Sequence, residues 1–507
     1  VPIHHRIAFG VSVLLVVLSL SSGRPVFAEE TTIIISQGVD ADTLNPLATN
    51  VTPTENVQLQ MFDTLVRFDR SGKLIPWLAS SFTQAKPNVW EFHLRHGVTF
   101  WNGDPLTSSD VAFTIAKIKD PKFNSQLTPR VATISEVRTP DPYTVDVITS
   151  KPVPLMPGYL WLTMIVDAKY WTEHGDDYMA EHPMGSGPYV FRRWVKNQEI
   201  DLDANPHFWG GTPTIDHVVM KPIADSNVRV AALRSGESNL ITNVPAERIS
   251  TIASLKTLKV QSVKSTRILF FAFNTLKTGP QRNVLVRRAI NYLVNVPSLL
   301  QSVLGGHGYF MISPIPENFV GYDPTVQGYH YDPRYAMKLL SEAGYPGGKG
   351  LSLIINAPRG RYNKGEEIAN ALADQLRAEG IDAAVKIQDW KPYYAKLGRR
   401  ELAPLYEMGW ANSSFDADGT LGNLFTTTSR ISAVGTPKLD KLIEDARFEL
   451  DPAKRSEKYS MILHIIQDQA PWIFLFQYQD LYAMDKDIQW KVRADELLYV
   501  DEMRVVK

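Results

Sequence analysis

Apolar residues recur along this chain with periods of about 3.6 and about 2 in turn, which marks alternating helices and strands. Residues 31–37 (TTIIISQ) are β-branched and predict a buried strand. Thr52-Pro53-Thr54-Glu55 sets a hydroxyl before a proline, with a glutamate three residues on, and predicts a capped helix start. Trp90, Phe92 and Leu94 alternate with Glu91, His93 and Arg95 as in a half-exposed strand. Thr107-Ser108-Ser109-Asp110 opens a helix with Val111 and Ile115 on one face. Strands are expected at 143–149, 189–195, 199–204 and 215–222, the middle two forming a hairpin around Lys196-Asn197. A helix follows from Asp225 as cap to Gly236 past its end.

The second half alternates more regularly. Residues 268–273 (ILFFAF) form an unbroken apolar run, as expected of a strand covered on both faces. Helices are expected on Val286, Ile290 and Leu293; on Ala336, Leu339, Leu340 and Ala343, from Asp332-Pro333 to Gly344; and on Ile368, Leu372 and Leu376, ending at Gly380. Two more are built on Leu439, Leu442, Ile443 and Ala446, and on Tyr459, Ile462, Leu463 and Ile466. Strands are expected at 351–357, 383–387, 405–410 and 472–476. Alternation without a repeat, a low-complexity tract or a long polar linker predicts an α/β, two-lobed fold with a mostly parallel sheet, the chain crossing between lobes more than once.

The chain has 507 residues and no cysteine, which excludes disulfides, thiol nucleophiles, zinc ribbons and iron–sulfur clusters. At roughly 150 residues per domain the length suggests about three domains or two large lobes. A net charge of −1 leaves no electrostatic footprint for nucleic acid. Aromatic content of 10% is more than many cores need and points to ligand walls.

Residues 1–28 read as a secretory signal peptide: His4, His5 and Arg6, an apolar run from 7 to 20, then Val26-Phe27-Ala28 as the cleavage site. That run is shorter than the ~18 residues a membrane span needs. The expectation is therefore a periplasmic protein, cleaved near Ala28, neither membrane-embedded nor lipid-anchored, and removed from cytoplasmic ATP and NAD.

Catalytic signatures are absent from the sequence. Gly185-Ser186-Gly187 is not a nucleophile elbow, the 344–350 glycines make no P-loop, and 305–308 do not extend to a dinucleotide fingerprint. His93 and His96 point to opposite faces of their strand, so no metal pair is expected. Asp416 and Asp418 are the one carboxylate pair with a reading as glycoside-hydrolysis residues. Neither cofactor nor metal is expected.

Ten segments carry a resemblance: 63–66 (DTLV), 73–79 (KLIPWLA), 90–100 (WEFHLRHGVTF), 102–107 (NGDPLT), 185–189 (GSGPY), 205–211 (NPHFWGG), 272–275 (AFNT), 286–290 (VRRAI), 332–334 (DPR) and 470–472 (APW). In this order they resemble the bacterial extracellular solute-binding family 5, which includes dipeptide-, oligopeptide- and nickel-binding proteins of ABC importers. The resemblance implies a monomeric, non-catalytic binder of the type II-like periplasmic fold. One lobe would contain 29–66, 186–265 and 480–507, with 67–185 as an appended domain and 266–479 as the second lobe. A peptide-sized polar organic solute (a peptide, or an opine- or sugar-conjugate-like molecule) would bind in the cleft between lobes, which close by hinge motion and engage an inner-membrane ABC permease.

In peptide-binding relatives an acidic residue three positions after a Gly-Trp turn pairs the peptide's amino group. Here, after Gly409-Trp410, that position is Ser413. A buried ammonium without its partner costs about 2–5 kcal/mol, so ordinary peptides are disfavoured unless Asp416 reaches in. Trp410 with Asn412 and Ser413 suits opine- or sugar-like solutes. Arg359, Arg361 and Tyr362 follow a strand end, where two guanidiniums would hold a carboxylate or phosphate. Asn274, Trp390, Asp42, Thr43 and Ser186 are further wall candidates. The competing readings are a secreted glycoside hydrolase and a periplasmic chaperone.

Overall fold

The computed structural model describes residues 1–2, 30–70, 72–412 and 414–506. The expected signal peptide and Ser413 therefore lie outside the described residues. Residues 31–507 pack as one unit.

Its backbone is an 11-stranded sheet. Across it run Asp382–Gln388, Ser352–Pro358, Leu405–Ala411, Leu258–Phe273, Trp472–Asp485, Leu240–Ile241, Thr32–Gln37, His217–Pro222, Glu199–Ala204 and Tyr189–Val195, with Gly308–Phe310 paired beside Trp472–Asp485. The sheet is mixed rather than mostly parallel. Among the described residues the parallel pairs are those that Thr32–Gln37 and Ser352–Pro358 make with their neighbours on either side. The reason is the path of the chain: it leaves the first half along Leu258–Phe273 and returns along Trp472–Asp485, so these central strands are antiparallel.

These two strands carry the connection between halves. Their ladder runs from Leu258↔Asp485 to Lys264↔Gln479, breaks, and resumes at Ile268↔Gln477. Before the break, Trp472–Asp485 pairs with Leu240–Ile241 of the first half. After it, Leu258–Phe273 pairs with Leu405–Ala411 of the second. The break lies beside the boundaries expected at 265/266 and 479/480.

Beyond the break the strand is covered on both faces. Leu269, Phe271 and Phe273 enter one core, while Ile268, Phe270 and Ala272 enter another on the opposite face. A separate antiparallel sheet of Ala79–Lys86, Val89–Leu94, Thr144–Thr149 and Ile134–Asp141 shares a third core with Ile33 and Ile35 of the main sheet. The helix Ser108–Lys119 closes that core, started by a reciprocal Thr107/Asp110 capping box.

The helix Thr52–Met61 departs from expectation. Its cap is Val51, with no side-chain hydrogen bond, because the Thr52 hydroxyl accepts instead from Arg267 at 2.9 Å. At the other end of this helix, Gly185 and Gly187 lie against the carbonyl of Met61; a Cβ at Gly185 would be 1.9 Å from that oxygen. Between them Ser186 donates to Asp63 at 3.0 Å. Asp63 is fully buried and also accepts from Trp77 Nε1 at 2.7 Å and Trp209 Nε1 at 2.9 Å. Several of the segments that carried the resemblance thus meet at one buried carboxylate.

Replacing Asp63 by Ala strands these donors in the interior and leaves the neighbouring Arg67 with Asp501 at 3.1 Å as its remaining carboxylate. We expect a loss of about 3–5 kcal/mol of stability, measured by urea denaturation.

Candidate functional site

A cavity of about 160 Å³ lies between the two halves. From the first half and the smaller sheet it is walled by Asn50 to Thr52, Glu55, Gln126, Arg130, Tyr159 and Trp161. From the second half come Arg361, Tyr362, Trp390, Tyr394, Met408 to Asn412, Asp418 and Arg447. Arg267, within the ladder break, joins both sets.

The floor is the strand Leu405–Ala411. Gly409 is glycine for close approach: a Cβ there would lie 2.7 Å from the Tyr362 ring. The indole N–H of Trp410 donates to the Gly419 carbonyl at 3.2 Å, which fixes the ring. Asn412 is spent inside its turn. Its amide donates to the Asp416 carbonyl at 2.8 Å and to Thr420 Oγ1 at 3.0 Å, and its oxygen accepts from Ser414 Oγ at 2.6 Å.

Charges in the walls are matched almost throughout. Arg130 pairs with Glu55 at 2.8 Å, Arg447 with Asp418 at 2.9 Å, and Arg267 with Glu496 at 2.5 Å. Asp495 at the rim is held by Arg493 at 2.6 Å. Arg267 also donates to the carbonyl of Gly409, so one guanidinium ties the floor to the start of the Thr52–Met61 helix. Arg361 is the exception. It is 8% exposed and, among the described residues, has neither an ion pair nor a hydrogen bond. Its guanidinium lies 5.0 Å from the Tyr362 ring centre and 5.1 Å from that of Trp390. Burial, and then the nearby Arg267, pull its pKa below the usual arginine value.

The cavity thus gathers Trp410, Asn412, Arg361, Tyr362 and Trp390 from the residues expected on sequence. Others lie elsewhere. Arg359 is exposed and bonds Asp389 at 3.3 Å and Glu366 at 3.4 Å, so the two guanidiniums do not converge. It faces a neighbouring groove together with Asp42 and the far side of Trp390. Thr43 Oγ1 accepts from the Asn45 N–H within its own loop. Ser186 belongs to the Asp63 cluster. Asn274 is fully buried and braces the carbonyls of Arg400 and Leu402.

Asp416 does not reach the cavity. Arg455 at 2.7 Å and Tyr459 at 2.8 Å hold it from behind. With Asp418 bound by Arg447 and Tyr159, the hydrolase reading finds no support in the geometry. Arg267, Tyr159 and Arg447 were missed on sequence. Only Arg267 carried a signal, as a charge directly before the buried ILFFAF run.

Glu407, on the floor strand, is buried with both carboxyl oxygens unpartnered among the described residues. Burial, then Glu366 and Glu367, push its carboxyl well above the usual range. Such a group favours the folded state least once the unfolded chain ionises. Stability falls as pH rises from about 4.3 toward the folded pKa, by at most about 1.4 kcal/mol per pH unit. Glu407→Gln should remove that part of the slope in pH-dependent thermal melts while matching wild type at pH 4.

The model of the bacterial extracellular solute-binding proteins, family 5 (middle region), matches residues 73–431. The glutathione-binding protein GsiB of Escherichia coli O157:H7 is 25% identical over 470 residues, covering 90% of this chain and 91% of that protein. Helicobacter pylori DppA, solved with the peptide STSA, superposes with a TM-score of 0.86 at 24% identity, over 94% of this chain and 98% of that one. AgaA from A. tumefacien R10, solved with agropinic acid, gives 0.85 at 24%, over 94% and 99%. These likenesses establish the two-lobed α/β fold of periplasmic binding proteins. Among the described residues no helix is long and apolar enough to cross a membrane.

Proposed function

The chain belongs to the bacterial extracellular solute-binding proteins of family 5, and we propose that it captures a compact polar solute through an acidic group held by Arg361. The carrying observation is that lone guanidinium in an otherwise charge-matched cavity. A buried cation with no carboxylate in contact is unfavourable, Glu496 and Asp42 acting on Arg361 only from a distance. A carboxylate or phosphate of the solute supplies a contacting charge in bidentate geometry, beside the rings of Tyr362 and Trp390.

Size and charge narrow the class. A cavity of about 160 Å³ is below the roughly 300–1,000 Å³ of sites for drug-sized ligands. The lining carboxylates of Glu55, Asp418 and Asp495 are each engaged by an arginine, so none is free for an ammonium group. Acidic opines and sugar conjugates satisfy both conditions better than peptides with a free amino terminus. The acid bound by AgaA and the peptide bound by DppA make a direct contrast within one fold.

In this reading the signal peptide delivers the protein to the periplasm and no covalent chemistry follows. The three-part division at 29–66/186–265/480–507, 67–185 and 266–479 places the hinge at the ladder break. Closure around the solute then presents both lobes to an inner-membrane ABC permease.

Titration calorimetry with agropinic acid, a sugar phosphate, glutathione and STSA tests the reading. The acids without a free ammonium should bind more tightly, and Arg361→Gln should weaken them by 30-fold or more, the equivalent of about 2 kcal/mol. STSA binding as tight as the acids, unaffected by Arg361→Gln, would refute the assignment.

A further inference from the structure

The two walls of the cavity also grip each other directly. Tyr159, on the short helix Met156–Leu160, donates its hydroxyl to Asp418 Oδ2 across the cavity, 259 residues away in the chain. Asp418 is 2% exposed and takes Arg447 Nε at 2.9 and 3.2 Å, so its position is set from its own wall before the phenol arrives. Gly422 makes room for that arginine: a Cβ there would lie 2.2 Å from Arg447 Nη2. The same walls are joined by Tyr394, whose hydroxyl donates to Gln126 Oε1 at 2.9 Å, and outside the cavity by Lys151 and Glu444 at 2.9 Å.

A second seam lies at the end of the strand Thr32–Gln37. Gly38 faces the backbone of Gly360, and a Cβ on Gly38 would stand 2.2 Å from the Gly360 carbonyl oxygen. Next nearest are the Gly360 carbonyl carbon at 3.4 Å and then Arg229 Nη1 at an ordinary 3.7 Å. An alanine at this position is compatible with its own half and incompatible with the shut seam.

We propose that Tyr159 is a positioning residue that sets the balance between open and closed cleft by a bond from wall to wall. Arg447 orients the Asp418 carboxylate, and the phenol completes its shell only when the walls meet. A hydrogen bond to a charged acceptor is stronger than a neutral one, so removing the hydroxyl should lower the closed-to-open ratio about 10-fold. The solute then closes a cleft already biased toward closure, and part of its affinity is set by a residue whose polar atom it does not touch.

The inference rests on the reading of the chain as a closing binder, yet its test uses no solute. Small-angle scattering is measured on the solute-free full chain as wild type, Tyr159→Phe and Gly38→Ala. Expected is a larger radius of gyration for both variants than for wild type, with unchanged far-ultraviolet circular dichroism. Identical curves for all three proteins would overturn the proposal. So would expansion by Gly38→Ala alone, or a lowered melting midpoint of Tyr159→Phe without expansion, since each leaves Tyr159 a structural residue only. Failure of the calorimetric panel, by contrast, strikes the solute assignment and leaves the scattering result standing.

Discussion

A guanidinium held out of water must find negative charge, and that constraint organises the cleft. Arg130, Arg267 and Arg447 each enter the cavity wall with a carboxylate already in place. Their charges therefore orient neighbouring groups instead of attracting a guest. Arg361, beside two aromatic rings, has no such contacting partner among the described residues, and in the proposed reading the solute's acidic group takes that place. Selectivity follows from what is already neutralised as much as from what is exposed.

Arg267 shows how this electrostatic frame is joined to the mechanics. It sits where the paired strands lose register, and bonds to Thr52, Gly409 and Glu496 from there. Floor, first helix and C-terminal segment thus converge on one side chain at the turning point of the sheet. The fully buried carboxylate of Asp63 plays the matching part for the loop that carries Ser186. Both are buried polar centres with several satisfied partners, which specify geometry more strictly than apolar packing alone.

Where local chemistry decides the structure, the sequence was readable. The Thr107/Asp110 box, the Asp225 cap with Gly236 in the left-handed region, and the two-faced ILFFAF strand all follow from nearest neighbours. Long-range competition hid the rest. Thr52 has the chemistry of a cap, and Arg267, more than 200 residues later, takes its hydroxyl. Residues 258–267 lack an apolar period because Ser265, Thr266 and Arg267 are buried for polar contacts at the ladder break, so this part of the long strand could not be seen. Arg359 and Arg361 look alike in sequence, but one turn of backbone sends them to different surfaces. Asp416 could not be excluded from the site without knowing that Arg455 and Tyr459 stand behind it.

The smaller sheet shares a continuous apolar core with the N-terminal strand. Sliding it relative to that strand would expose packed side chains to water, so in the proposed closure the wall bearing Tyr159 moves with the first half as one jaw. Because the jaws are tethered by a two-stranded ladder in place of loose linkers, little rotational freedom is left to lose on shutting. A modest guest can therefore secure the shut state without first overcoming a large entropic penalty.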